Sequence, residues 1–154
     1  MNRSRTLVPL IFALTLLLSI SLSPWWNPWN YSLSALGSAS NGLGGAVFNG
    51  GLALTSWELE KGSSSDLLLL IALGIGLVAA INIDFGLAHF IVSVLLFLLL
   101  YAYVLSNASI EGYVGTALSI GLWISHFLYG VPPGVAIPEL SAIALALYYY
   151  VTRP

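Results

Sequence analysis

The sequence predicts an all-α fold, a polytopic membrane helix bundle of six transmembrane helices with N- and C-termini cytoplasmic. Three observations carry that expectation. Of the 154 residues, 58% are hydrophobic and 6% charged, whereas soluble domains carry about 25% charged residues. The apolar residues gather into runs of about 15–20, close to the length that crosses a hydrocarbon layer ~30 Å thick. All four basic residues, Arg3, Arg5, Lys61 and Arg153, fall on one side if six such runs alternate across a bilayer. Cytoplasmic loops collect Lys and Arg, so that side is the cytoplasm.

The first helix is predicted over about 6–22, behind Arg3 and Arg5. Its start resembles a secretory signal, but the apolar run is longer than a signal core, so it is expected to remain as an uncleaved helix. The second is predicted over 41–57, where "NGLGGAVFNGGLALTSW" carries five glycines and two asparagines. Small residues there let helices approach closely, as do Gly74 and Gly76 in the third segment. Without the second crossing Lys61 would lie outside, against the basic-residue bias. The remaining helices are predicted over 66–83, 86–106, 113–129 and 137–151, and the whole of 1–154 is expected to form one transmembrane domain in the cell membrane. Tyr148 to Tyr150 suit the inner aromatic belt. Glu58, Glu60, Asp66 and Glu111 read as solvated loop ends on the cytoplasmic side.

Composition also excludes chemistry. There is no cysteine, hence no disulfide, thiolate nucleophile or thiolate-bound metal. A formal net charge of −2 from so few groups offers no basic patch for nucleic acid. The motifs H-E-x-x-H and G-x-S-x-G do not occur.

What remains is a polar cluster. Asp84, His89, His126 and Glu139 all belong to the predicted outer ends of helices four, five and six, and the two histidines are the only ones in the chain. Each has an ordinary explanation. Asp84 precedes a helical run and suits an N-cap. Glu139 follows Pro138 at a helix start, where an acid meets the positive helix end. His126 suits a backbone carbonyl partner or the headgroup level beside Trp123 and Tyr129. His89 lies inside an apolar run, ~7 Å below Asp84 along a helix, where a polar group usually faces a bundle interior or a wet cavity. Together they predict a shared pocket open to the outer leaflet. Their ligand types suit zinc or another divalent ion, with the carboxylates orienting the imidazoles.

The outer loop, 23–40, concentrates Trp25, Trp26, Trp29 and Tyr31 with Pro24 and Pro28, a set suited to anchoring in the interface. The alternative is a lid over the cluster, with Asn30 and Ser34 as supporting polar groups and Asn49 in helix two bonding across a helix pair. Asn30-Tyr31-Ser32 forms a glycosylation sequon on the expected outer side, and Asn107-Ala108-Ser109 one on the cytoplasmic side.

"SLSALG" in the outer loop, "AVFNGGLAL" in helix two, "IDFGLAH" opening helix four and "IPEL" opening helix six, in that order, resemble the domain-of-unknown-function 998 family. That family of small polytopic proteins, common in archaea and bacteria, is similar to the Frag-like superfamily, whose eukaryotic members include a factor for lipid remodelling of GPI anchors. Ser34, Leu36, Gly37, Phe48, Asn49, His89 and Glu139 match the pattern. Tyr31 and Ala35 depart from it, standing where an asparagine and an aspartate are expected. The family has no assigned reaction; the resemblance implies six helices and a role with lipids.

Three function classes follow. The first is a lipid-binding or lipid-headgroup-modifying protein using the outer cluster, with membrane lipid as partner and no nucleic acid. The second is a non-catalytic subunit or scaffold of a membrane complex, with an oligomer or partner subunit. The third is a small transporter, which needs a polar path to the inner side that Asn49, Thr55 and Ser93 alone do not supply.

Overall fold

The computed structural model describes residues 3–107 and 109–153. They form six α-helices and no strand: α1 Arg3–Ser21, α2 Leu43–Gly62, α3 Asp66–Ala80, α4 Leu87–Ser106, α5 Ile110–Tyr129 and α6 Ala136–Thr152. Three single 3-10 turns, Ser34–Gly37, Ala39–Asn41 and Ile83–Phe85, punctuate the connections. By length and composition, α1 and α4 are long and apolar enough to cross a membrane.

Helix ends depart from the sequence expectation for local reasons. α2 runs past Trp57 to Gly62 because Glu58 accepts a hydrogen bond from the Ser4 hydroxyl of α1 at 2.7 Å and pairs with Lys61 at 3.4 Å. α3 stops at Ala80, three residues early. Asn82 then accepts the Asp84 N–H at 3.2 Å, which holds Ile83–Phe85 in a 3-10 turn until Gly86, at φ 56°, redirects the chain into α4. α6 starts at Ala136, so Pro138 sits in its first turn rather than at its first position. The proline costs no bond there, since the first N–H groups of a helix have no intrahelical acceptor.

The chain packs as two compact units. One comprises Met1–Trp25 and Ser34–Leu99; the other comprises Trp26–Leu33 and Leu100–Pro154. In the first, α2 packs against both α1 and α3. Interhelical hydroxyl bonds hold these pairs: Ser19 Oγ donates to the Gly44 carbonyl at 2.8 Å and Ser56 Oγ to the Ala72 carbonyl at 2.6 Å. Hydrogen bonds of this kind contribute about 0.6–2 kcal/mol between apolar helices. At Gly51 a Cβ would run into Thr15 of α1, so the contact requires glycine. The covered side chains of this unit include Val8, Phe48, Leu52, Leu59, Leu68 and Ile71.

In the second unit α5 packs against α6. A run of hydroxyls crosses it, from Tyr101 Oη to Ser119 Oγ at 2.7 Å, to Ser141 Oγ at 2.6 Å, and on to the Pro138 carbonyl at 2.7 Å. The first part of the long loop belongs here. Gly134 N–H donates to the Trp29 carbonyl at 2.8 Å and Ala136 N–H to the Tyr31 carbonyl at 3.0 Å, so the backbones of 29–31 and 134–136 run side by side. A Cβ at Gly134 would collide with the backbone of Asn30 and Tyr31.

Candidate functional site

In the first unit, the loop segment 34–41 and the α3–α4 turn are tied by Asp84. Its Oδ1 accepts the Ser38 hydroxyl at 2.8 Å and its Oδ2 the Ala39 N–H at 2.6 Å. These bonds to Ala39, first, and Ser38 hold the Asp84 carboxyl below its ordinary range; bonds to the charged form favour it. Asp84 therefore does not cap α4. It holds the start of the Ala39–Asn41 turn instead.

The same segment is pinned twice more. Asn49 of α2 donates to the Gly37 carbonyl at 2.8 Å. Asn41 donates to the Leu36 carbonyl at 2.7 Å and to Ser23 Oγ at 2.8 Å, while its Oδ1 accepts the Trp25 indole N–H at 3.1 Å. Ser34, half-buried, opens the first 3-10 turn.

His89 sits in the first turn of α4 and is 6% exposed. Its Nδ1 lies 2.6 Å from the Ile81 carbonyl at the end of α3, and its Nε2 lies 3.2 Å from Ser93 Oγ. A carbonyl only accepts, so Nδ1 carries the proton. In the neutral ring Nε2 is then the acceptor, and Ser93 donates to it. The imidazole is oriented on one side by backbone and presented on the other to a hydroxyl.

Glu139 and His126 belong to the second unit. Glu139 is 5% exposed, and its Oε2 accepts the Leu33 N–H at 2.6 Å. The glutamate thus fastens the loop end to α6 rather than only starting the helix. His126 places Nδ1 2.8 Å from the Pro132 carbonyl and its ring edge-on to Phe127, centroids 5.1 Å apart. Its role is the carbonyl-satisfying one, closing the turn after α5. Asn30 is exposed, and its backbone N–H donates to the Asn27 side chain at 3.0 Å. Of the loop tryptophans, Trp25 and Trp29 are exposed, but Trp26 is buried and donates its indole N–H to the Ser32 carbonyl at 2.8 Å. Trp26 is thus a packing residue, not an interfacial anchor. Of the second sequon, Ala108 lies outside the described residues.

Of the four residues expected to share a divalent metal, Asp84 and His89 belong to the first unit and His126 and Glu139 to the second. Among the described residues no group of three or more His, Asp or Glu side chains is disposed to hold an ion, and both Asp84 oxygens are already hydrogen-bonded. Zinc sites in proteins need three or four such ligands at about 2.0–2.2 Å.

Ser38, Asn41 and Ser93 are the polar residues that the sequence reading left out of the cluster. The i,i+4 spacing of His89 and Ser93 was the available signal for one of them. No family model, curated protein or solved structure matches the chain.

Proposed function

We propose that the chain is a multi-pass protein of the cell membrane, with six crossings and both termini cytoplasmic, that binds membrane lipid at the outer leaflet through the α3–α4 end of its first unit. The family resemblance of its short motifs, to the domain-of-unknown-function 998 family, agrees with that reading. So does the surface: in both α1 and α4 only 28% of the apolar window is buried, whereas a core helix of a soluble protein is mostly covered. α2 and α5 have 20 residues each, about 30 Å of helix. α3 and α6 have 15 and 17, about 22 and 26 Å, which cross with local thinning at a cost of fractions of a kcal/mol per Å.

The observation that carries the lipid reading is His89. A buried imidazole in an apolar helix lies within a bare apolar rim: Phe85, Leu87, Phe90 and Ile91 are 62%, 72%, 58% and 50% exposed. Water does not favour such a rim, and acyl chains do. A polar group beside it meets the headgroup and glycerol region of whatever lipid packs there.

The test is photocrosslinking in nanodiscs of phosphatidylcholine and phosphatidylglycerol, doped with a phospholipid whose diazirine sits near the glycerol. Cross-linked peptides are expected to concentrate in 83–93. Uniform labelling along every lipid-facing helix, with no excess at that segment, would refute the site.

A further inference from the structure

We propose that Ser93 and His89 form a nucleophile–base pair acting on the carboxylic ester of a membrane lipid. The proposal rests on the lipid reading above and adds a reaction to it. The Ser93 hydroxyl does not take the back-bond that three helical threonines of this chain make. Thr15, Thr55 and Thr152 return theirs to the carbonyl four residues back, at 2.8, 2.8 and 2.7 Å, the usual resting place for a hydroxyl in an apolar helix. The Ser93 hydroxyl is directed at His89 Nε2 instead, at 3.2 Å.

Nucleophilic catalysis by serine requires a base within hydrogen-bond reach and a third group that fixes the base. Here the Ile81 carbonyl, 2.6 Å from Nδ1, is the third group. It selects the tautomer whose bare nitrogen faces the serine, as a buried carboxylate does in a Ser-His-Asp triad, though without that carboxylate's charge to stabilise an imidazolium.

Depth names the substrate. Ser93 is six residues into α4, about 9 Å along the axis. Its side chain leans back toward the helix start, and it is half-buried between the exposed Phe90, Ile91, Val94 and Leu95. With the first turn of α4 at the hydrocarbon boundary, this is the level of the upper acyl chains. The ester linkages of membrane lipids lie just above them.

Ser93 Oγ attacks the ester carbonyl carbon while Nε2 takes the hydroxyl proton. The tetrahedral adduct then collapses, breaking the bond from the carbonyl carbon to the glycerol oxygen. The imidazolium returns its proton to that oxygen, leaving acyl-Ser93 and a lipid with a free hydroxyl. Water, giving its proton to Nε2, attacks the acyl carbonyl. The bond from the acyl carbon to Ser93 Oγ breaks, serine recovers the proton, and a fatty acid leaves. The Ile81 carbonyl is a positioning group throughout.

The test uses the full chain in nanodiscs and a long-chain alkyl fluorophosphonate, with the adduct located by mass spectrometry. The wild type should label at Ser93 and Ser93→Ala should not. His89→Asn keeps a side-chain N–H for the Ile81 carbonyl but has no base, so it should melt with the wild type and label at least ten times more slowly. Absence of a Ser93 adduct in the wild type, or an unimpaired rate in His89→Asn, overturns the pair. Lipid crosslinking at 83–93 in the same preparation keeps the two proposals apart: crosslinks without adduct leave lipid binding standing and remove the reaction.

Discussion

Asp84 is a charged side chain whose state is set by its hydrogen-bond partners. Its carboxyl titrates below its ordinary range because Ala39 N–H and Ser38 hydroxyl bonds favour the anion. A depressed native value stabilises the fold above the unfolded value, near 3.8, and the stabilisation is lost as pH falls through the native value. The melting temperature of Asp84→Asn should therefore lie below that of the wild type at neutral pH, with the gap closing only below about pH 4. A gap that did not narrow as the pH falls below about 4 would contradict the linkage. Because the two oxygens are occupied by protein donors, EDTA should leave the wild-type melting curve unchanged; a downward shift would reveal a resident metal. Thr116 offers the opposite case. Its hydroxyl is buried without a hydrogen-bond partner, so Thr116→Val, of similar shape, should raise stability by about 1 kcal/mol in a denaturation series. Asp84, His89, His126 and Glu139 stand out in the sequence as rare titratable groups. Their partners do not, because the Ile81 carbonyl, the Ala39 N–H and the Leu33 N–H are backbone atoms that every residue owns.

At the scale of elements, close backbone approach decides which glycines are needed. Gly134 lies against the backbone of Asn30 and Tyr31 and is bonded to Trp29. A methyl there cannot be accommodated by rotating a side chain. Gly134→Ala should lose about 1–3 kcal/mol, the usual cost of overpacking. Gly50, inside α2 with open space around a Cβ, should gain about 0.5–1 kcal/mol on mutation to alanine, from helix propensity alone. Equal responses from the two in one thermal-unfolding experiment would contradict the packing described. The same contrast explains which element boundaries were legible. Apolar run length located all six helices to within a few residues. The departures arise where side chains far apart in sequence meet, as Ser4 meets Glu58, or where a local cap overrides the run, as Asn82 does after α3.

At the scale of the whole molecule, the proposed membrane topology rests on few charges, and the structure shows where to test it. Arg3, Arg5, Lys61 and Arg153 share the cytoplasmic side only if α2 crosses. α2 carries Glu58, Glu60 and Lys61 in its last two turns, yet Glu58 is covered by the Ser4 hydroxyl and Lys61 lies over the Trp57 ring at 4.8 Å. The charged end of α2 is thus bound to the start of α1, and the two ends reach the same face together. If that face is cytoplasmic, the α2–α3 connection is cytoplasmic and the α1–α2 loop lies outside. Single cysteines at the exposed positions Ser64 and Asn30 report on these two connections. In intact cells an impermeant maleimide should modify Asn30→Cys, and Ser64→Cys only after permeabilisation. Modification of Ser64→Cys in intact cells would place Lys61 outside. It would also carry the Ser4–Glu58 contact out with it, against the basic residues of α1, and so reject the six-crossing topology together with the outer-leaflet position of His89.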